Sequence, residues 1–281
     1  MRSILSYGFF CLIREATSLL RHILSRVIKN RSFERNPFFV ENLYDEIRLD
    51  LLKNLDNLTF YEYVYCGTEA RWSLLDNKIC FGVVQTIRER HLNIISSFIC
   101  SSEKHKIVEL GSGDGSNVLY LAKTFKNREF IGLELSKKSV HLSNLAAKKF
   151  GIKNVSFKVI DLSKPETYKN YLNKDHAFYS SHCLEEMPRI FKIPLEALRT
   201  NGVEEIALLE PAFIFNFSRF FLDIARLFRI IHRDRLFGLT GYCKRSLSKT
   251  FQVKIMDLGT GLNPVNPTTL ILLTRHKKFT L

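Results

Sequence analysis

Lys106-Ile107-Val108-Glu109-Leu110-Gly111-Ser112-Gly113-Asp114-Gly115-Ser116 is the stretch that decides the fold. An apolar, β-branched run (Ile107, Val108, Leu110) stops in three alternating glycines, and apolar residues resume at Val118–Ala122. The pattern predicts a strand, a tight turn and a helix start. Such a unit is the ligand-facing turn of a doubly wound sheet, where glycines at 111, 113 and 115 let backbone N–H groups at a helix N-terminus approach a ligand.

Taken alone, the glycines are also consistent with a plain sharp turn between strand and helix. Three acids add to them. Glu109 stands two residues before the first glycine. Glu134 closes the next apolar run, Phe130–Leu133, about 20 residues after the glycines, where an acid can accept hydrogen bonds from two ribose hydroxyls. Asp161 closes the third run, Val155–Ile160, and Leu162 follows it.

At these residues the chain resembles the class I S-adenosylmethionine-dependent methyltransferases. Their first motif is an acid, any residue, then Gly-x-Gly-x-Gly, which Glu109–Gly115 fits throughout. The resemblance covers residues 104–211 and the C-terminal hairpin. It implies S-adenosylmethionine as cofactor, with Glu109 and the loop of Gly111, Ser112 and Gly113 at its methionine part. Glu134 would take the ribose, and Asp161 with Leu162 the adenine. A nicotinamide-dinucleotide fingerprint fits less well, because it wants its third glycine where Ser116 stands.

In bulk the chain is an ordinary globular protein: 281 residues, 46% hydrophobic and 25% charged. Its six cysteines show no Cys-x-x-Cys pairing and no histidine at zinc spacing. They read as reduced thiols of a cytoplasmic protein, with no metal site implied. A net charge of +14 means attraction to something anionic: nucleic acid, a phospholipid surface, a glycan or a phosphorylated intermediate. Much of the charge lies outside the cofactor region, in residues 1–36 and 212–254.

Residues 1–100 read as a mostly helical N-terminal extension and lid, and residues 101–281 as the methyltransferase domain. Met1–Asn30 has a narrow apolar stripe (Leu5, Phe9, Leu12, Ala16, Leu19, Ile23, Val27) opposite Arg14 and Arg21. It predicts an amphipathic helix, packed on its own domain or lying on the inner face of a membrane. Val40–Leu55 and Cys80–Cys100 are expected to be helical. The aromatics of Leu58–Cys66 suit a packed core strand, whereas the resemblance implies that the segment before the first motif is a lid over the cofactor, with Tyr63, Tyr65, Arg71 and Trp72 as candidates to meet the acceptor.

Tyr168–Leu172 is expected to complete a helix and Ala177–Ser181 to form the fourth strand. That strand runs into Ser181-His182-Cys183-Leu184-Glu185-Glu186, a stretch that many small-molecule methyltransferases of this class resemble. Ser181 and His182 then fall on the ligand-facing rim, with Ser181 at the cofactor. His182 is the candidate base for a hydroxyl acceptor, or else a residue that shapes the turn. After Ile206–Glu210 comes a helical insertion, residues 212–248. In it Phe217, Phe220, Phe221, Ile224, Phe228 and Ile231 share one side and Arg219, Asp223 and Arg226 another. Phe251–Leu258 and Thr268–Thr274 make a C-terminal antiparallel hairpin. Its long loop nominates Asn263 and Asn266 for the acceptor, against simple Asn-Pro turn chemistry.

The expected fold is α/β: a doubly wound, mostly parallel seven-stranded sheet with a C-terminal antiparallel hairpin, a helical N-terminal extension and a helical insertion before the last two strands. The expected activity is methyl transfer to a small-molecule or lipid- or saccharide-linked acceptor. The alternatives are a nucleic-acid methyltransferase, whose Asn/Asp-Pro-Pro-aromatic signature the fourth strand lacks, and a non-catalytic cofactor-binding protein of the same fold.

Overall fold

The computed structural model describes residues 45–66, 69–187, 190–233 and 238–276, together with Phe10, Cys11, Ile13, Arg14, Ala16 and Thr17. The rest of the Met1–Asn30 stripe lies outside the described residues. In chain order the elements begin with α1 (Asp45–Asn54), α2 (Phe60–Val64), β1 (Trp72–Leu75), β2 (Lys78–Phe81), α3 (Val84–Ser101), β3 (Lys106–Leu110), α4 (Ser116–Thr124), β4 (Glu129–Glu134) and α5 (Lys137–Lys149). They continue with β5 (Val155–Val159), β6 (His176–Ser181), α6 (Lys192–Thr200), β7 (Glu205–Glu210), α7 (Phe220–Arg233), α8 (Leu239–Arg245), β8 (Phe251–Thr260) and β9 (Thr268–Arg275).

The large sheet has seven strands in the order β5-β4-β3-β6-β7-β9-β8. Five run parallel through β5, β4, β3, β6 and β7, and β9 enters antiparallel between β7 and β8. Since β8 opposes β9, it runs with the other five, so its following loop leaves from the same rim as the glycine turn. The strand order reverses at β3 and β6. That places a crevice at the carboxyl ends of these two strands, where ligands bind in doubly wound sheets.

Side chains alternate across the sheet, and both faces are covered. Val108, Leu110, Phe178, Ile206 and Leu208 pack with Leu195 and Leu198 of α6 and Leu239 and Tyr242 of α8. Ile107, Ala177, Tyr179, Ala207 and Leu209 face Leu92, Ile95 and Ile99 of α3 and Val118 and Leu119 of α4. Each fully buried Leu, Ile, Val or Phe contributes about 1.5–3 kcal/mol. A third, small cluster joins Cys11, Leu74, Leu222, Ala225 and Val265. It is where the N-terminal segment, the β1–β2 hairpin, α7 and the β8–β9 loop meet.

Three expectations are corrected. Leu58–Cys66 is not a core strand: Thr59 and Glu62 form a reciprocal capping box, which starts α2. Cys80 and Phe81 belong to β2 rather than to a helix, because Asp76 and Asn77 both adopt positive φ (51° and 59°) and close a two-residue hairpin. Tyr168–Leu172 holds only one short 3-10 turn, Lys169–Tyr171, which follows another at Pro165–Thr167. The helix at Val40–Leu55 is present as α1 within the described residues.

Candidate active site

The three glycines of the turn after β3 all have positive φ, yet they do different work. A Cβ on Gly111 would stand 2.2 Å from Cys183 Sγ, and one on Gly115 would stand 2.7 Å from the Phe157 ring and from Ser143 Oγ. Those two glycines therefore let protein pack on protein. Gly113 alone faces open space. It is the glycine at which a ligand can approach the backbone, a narrower role than the sequence suggested for the set.

Around Gly113 the loop is held from four sides. Gly111 and Ser112 donate their N–H groups to Leu133 O at 2.7 and 3.0 Å. The Tyr63 hydroxyl donates to Asp114 O. Arg88 of α3 bridges Ser116 Oγ and Cys66 O, tying α2 and α3 to the start of α4. Glu134 accepts from the N–H of Gly113 through Oε2 and from that of Ser136 through Oε1, both at 2.9 Å. The Glu134 carboxylate is thus fixed beside the one glycine that opens outward.

Glu109 is buried. Oε1 accepts from Asn117 Nδ2 at 3.2 Å, and the buried Tyr179 hydroxyl is the carboxyl's other close polar neighbour. Burial pushes its pKa up to about 8, against the pull of the Asn117 hydrogen bond. Asp161 is set differently. Its Oδ1 accepts from the backbone N–H and the hydroxyl of Ser163 at 2.9 and 2.6 Å, and Lys164 pairs with Oδ2 at 3.2 Å. Partial burial alone would raise this group, but those hydrogen bonds and the Lys164 charge hold it below the usual carboxylate range. Leu162 is buried in the core and Ser112 is buried with an unpartnered hydroxyl among the described residues.

Beyond Ser181, at the half-buried end of β6, the chain turns through His182 at φ 58°. Both ring nitrogens of His182 are engaged: Nδ1 meets Glu185 Oε1 at 2.8 Å and Nε2 meets Thr268 Oγ1 at 3.1 Å. The ring stacks on His91, with centroids 5.9 Å apart. Burial and the facing His182 lower His91 to about 3, so it stays neutral. Under this turn lies Glu210, whose carboxylate accepts from Ser180 Oγ at 2.8 Å and from the N–H groups of Cys183, Leu184 and Glu185 at 3.1–3.3 Å. Burial brings Glu210 up to about 7, with the His182 charge pulling the other way.

The nominated acceptor residues divide. Asn266 Nδ2 donates to Glu185 Oε2 at 3.0 Å and so joins the β8–β9 loop to the His182 turn. Asn263 spends its side chain on its own turn, accepting from Val265 N–H at 3.1 Å. Tyr65 caps α2 and stacks on Tyr61 at 6.5 Å, and Arg71 is exposed where β1 begins. The hairpin is tied to the rim by paired backbone hydrogen bonds of 2.9 Å between Leu74 and Gly261. Sequence reasoning missed Arg88, Glu210 and Thr268. Glu210 had a signal, for it closes an apolar strand as Glu134 does; Arg88 and Thr268 had none.

In α7 the charged side is the inner one. Arg219 pairs with Asp257 and, at 3.7 Å, with Asp223, and donates to Asn77 Oδ1 at 2.9 Å. Arg226 donates to Ala212 O at 2.8 Å and Pro267 O at 3.2 Å. Arg219, Asp223 and Arg226 are buried, while Phe217 is 84% and Phe220 47% exposed.

A seven-stranded sheet with one antiparallel strand set in near its edge, a glycine turn after the first central strand and acids closing the strands beside it defines the class I methyltransferase fold. Residues 101–209 match the family model described as a methyltransferase domain. The fold built around these residues is the Rossmann-like one that class I methyltransferases share. The magnesium protoporphyrin IX methyltransferase of Synechocystis PCC 6803, solved with bound SAH, shares the fold with a TM-score of 0.57 over 86% of this chain and 100% of that one, at 12% identity. Over 65 residues the sequence is 35% identical to a probable (S)-tetrahydroprotoberberine N-methyltransferase of Papaver bracteatum (23% of this chain, 18% of the relative). Over 108 residues it is 29% identical to an uncharacterized protein of Rickettsia prowazekii (37% and 43%). The chain thus spans less than half the length of these curated relatives.

Proposed function

We propose that the protein methylates a small-molecule acceptor, free or linked to a lipid or saccharide, with S-adenosylmethionine as donor. The observation that carries this reading is the row of acids Glu109, Glu134 and Asp161 at the carboxyl ends of adjacent strands around outward-facing Gly113. The residues fit that donor. The Ser112 hydroxyl is a buried polar atom without a partner among the described residues, and the buried Glu109 carboxyl beside it supplies the acidic group that a charged methionine end requires. Glu134 has its carboxylate pre-oriented for the ribose diol, and Asp161 lies at the adenine position. When bound, the donor supplies an electrophilic methyl group on a sulfonium.

What the chain itself contributes is orientation. Glu134 fixes the loop; Glu185, Thr268 and Asn266 fix His182. As a general base His182 would have to exchange its Thr268 contact for the acceptor hydroxyl, so its geometry favours positioning over proton removal. Tyr65, Arg71 and Asn266 are the acceptor contacts we assign. A rim overlain by the β1–β2 hairpin and the β8–β9 loop suits a compact acceptor better than an RNA or DNA duplex.

Calorimetric titration with S-adenosylmethionine, S-adenosylhomocysteine and NAD tests the donor. Binding of the first two and not the third is expected, and binding of NAD alone, or of none, overturns the reading. Radiolabel from the donor should then enter a small-molecule or solvent-extractable fraction; its appearance in RNA or DNA would overturn the acceptor class.

A further inference from the structure

The insertion helix is oriented against the usual rule. An isolated amphipathic helix with a phenylalanine stripe and a charged stripe would bury the former. Here Arg219, Asp223 and Arg226 are turned in, and their partners come from four other segments: Asn77, Ala212, Asp257 and Pro267. Turning the helix over would strand buried charges, which costs several kcal/mol per uncompensated ion. The exposed end of the aromatic side, Phe217 and Phe220, is thereby held outward, while Phe221, Ile224 and Phe228 are half-buried.

That side is already assembled. The Phe215 ring meets Phe217 and Phe220 edge-on at 5.1 and 6.0 Å. A second exposed pair, Trp72 and Phe81, sits on the hairpin with centroids 5.4 Å apart. Trp72 is 51% and Phe81 57% exposed. The pair lies on the same hairpin face as Leu74 and Ile79, which join Leu222 and Ala225 in the small third core. Both aromatic groups thus belong to elements anchored in one cluster.

Charge selects the occupant. Residues 212–254 hold nine Lys and Arg against two acids in sequence, of which Arg219, Arg226 and Asp223 are buried. Two copies of a chain of net charge +14 repel each other, whereas an anionic surface attracts it. Phe and Trp over basic residues are the side chains of interfacial helices, and among the described residues no helix is long and apolar enough to cross a membrane. We propose that the Phe215–Phe217–Phe220 face of the insertion, extended by Trp72 and Phe81, is a docking surface for an anionic phospholipid bilayer. This goes beyond the methyltransferase reading and does not depend on it.

The test uses the full chain with phosphatidylcholine vesicles, with and without phosphatidylglycerol. Co-sedimentation is expected with the anionic vesicles, together with a blue shift of the emission of Trp72, the protein's single tryptophan. The double variant Phe217→Ser, Phe220→Ser should bind vesicles at least about tenfold more weakly, as expected for losing two inserted rings, with unchanged cofactor titration and circular dichroism. The proposal is overturned if the unsubstituted protein ignores anionic vesicles, if the double variant binds them equally, or if light scattering shows a dimer that the substitutions split. Cofactor titration, run on the same samples, reports separately on the methyltransferase reading.

Discussion

At the ends of β3, β4 and β5 the polar groups stand toward open space, with Glu134 and Asp161 partly exposed around Gly113. At the ends of β7 and β8 and along α7 the polar groups are turned on one another: Arg219 on Asp257 and Asp223, and Glu210 on three backbone N–H groups. On the proposed function the first region is the receptor: Glu134 and Asp161 are held by neighbouring backbone and side chains but keep an exposed side for a ligand. The second is a self-satisfied frame. The difference teaches that polar residues on one rim must be sorted by where their partners are, since residue type alone does not separate binding groups from struts.

Substitutions can break this contrast. The largest effect is expected for Arg219→Met, which leaves Asp223 and Asp257 without their cation and should destabilise the protein by about 3–5 kcal/mol in denaturant unfolding. If cofactor affinity at low temperature falls with it, the two regions are not separable. Gly111→Ala comes next. Its Cβ would collide with Cys183 Sγ and its φ is 68°, so a loss of about 2–4 kcal/mol is expected from overpacking plus backbone strain. A melting temperature equal to that of the parent would refute the packing role. Glu134→Ala should weaken S-adenosylmethionine binding by about 1.5–3 kcal/mol, the worth of charge-assisted hydrogen bonds. Calorimetry reads that loss directly, and unchanged affinity removes Glu134 from the ribose.

The smallest effect sharpens the contrast through pH. Glu109 and Glu210 have folded pKa values raised from 4.5 to about 8 and about 7. Between those limits the folded protein holds protons that the unfolded chain has released. Their contribution to stability is therefore complete below about pH 4.5 and is lost as pH rises toward 8. Glu109→Gln should flatten the upper part of the melting-temperature profile. In the parent, binding a cationic methionine end should expel a proton from Glu109 near neutral pH, seen as a buffer-dependent binding enthalpy. An enthalpy independent of buffer would place the cation elsewhere.

The sheet and the glycine turn at its rim were legible in the sequence because the signals there are local. Strand, glycine turn and closing acid sit within a few residues of one another at Glu109–Gly115, and again at Phe130–Glu134. The β1–β2 hairpin was missed because its turn residues are Asp76-Asn77, without the glycine that marks most such turns. In α7 the helix and its two stripes were legible but not which stripe faces in. Periodicity reports that two faces differ, whereas the choice between them was made by Asp257 and Pro267, about 30–50 residues away in the chain and beyond any local pattern. His182 was found for its chemistry, but its φ of 58° and its two engaged nitrogens depend on Thr268 and Glu185.

The turn after β6 has one more consequence. Three successive N–H groups converging on an anion are what loops use to seize a phosphate, and here the Glu210 carboxyl, tethered to the neighbouring strand, fills that place. Its effective concentration is that of a covalently attached ligand, so a free phosphate or carboxylate cannot compete it away. The rim has in this way closed one of its own anion receptors, and any charge the acceptor brings must be met at another point of the crevice.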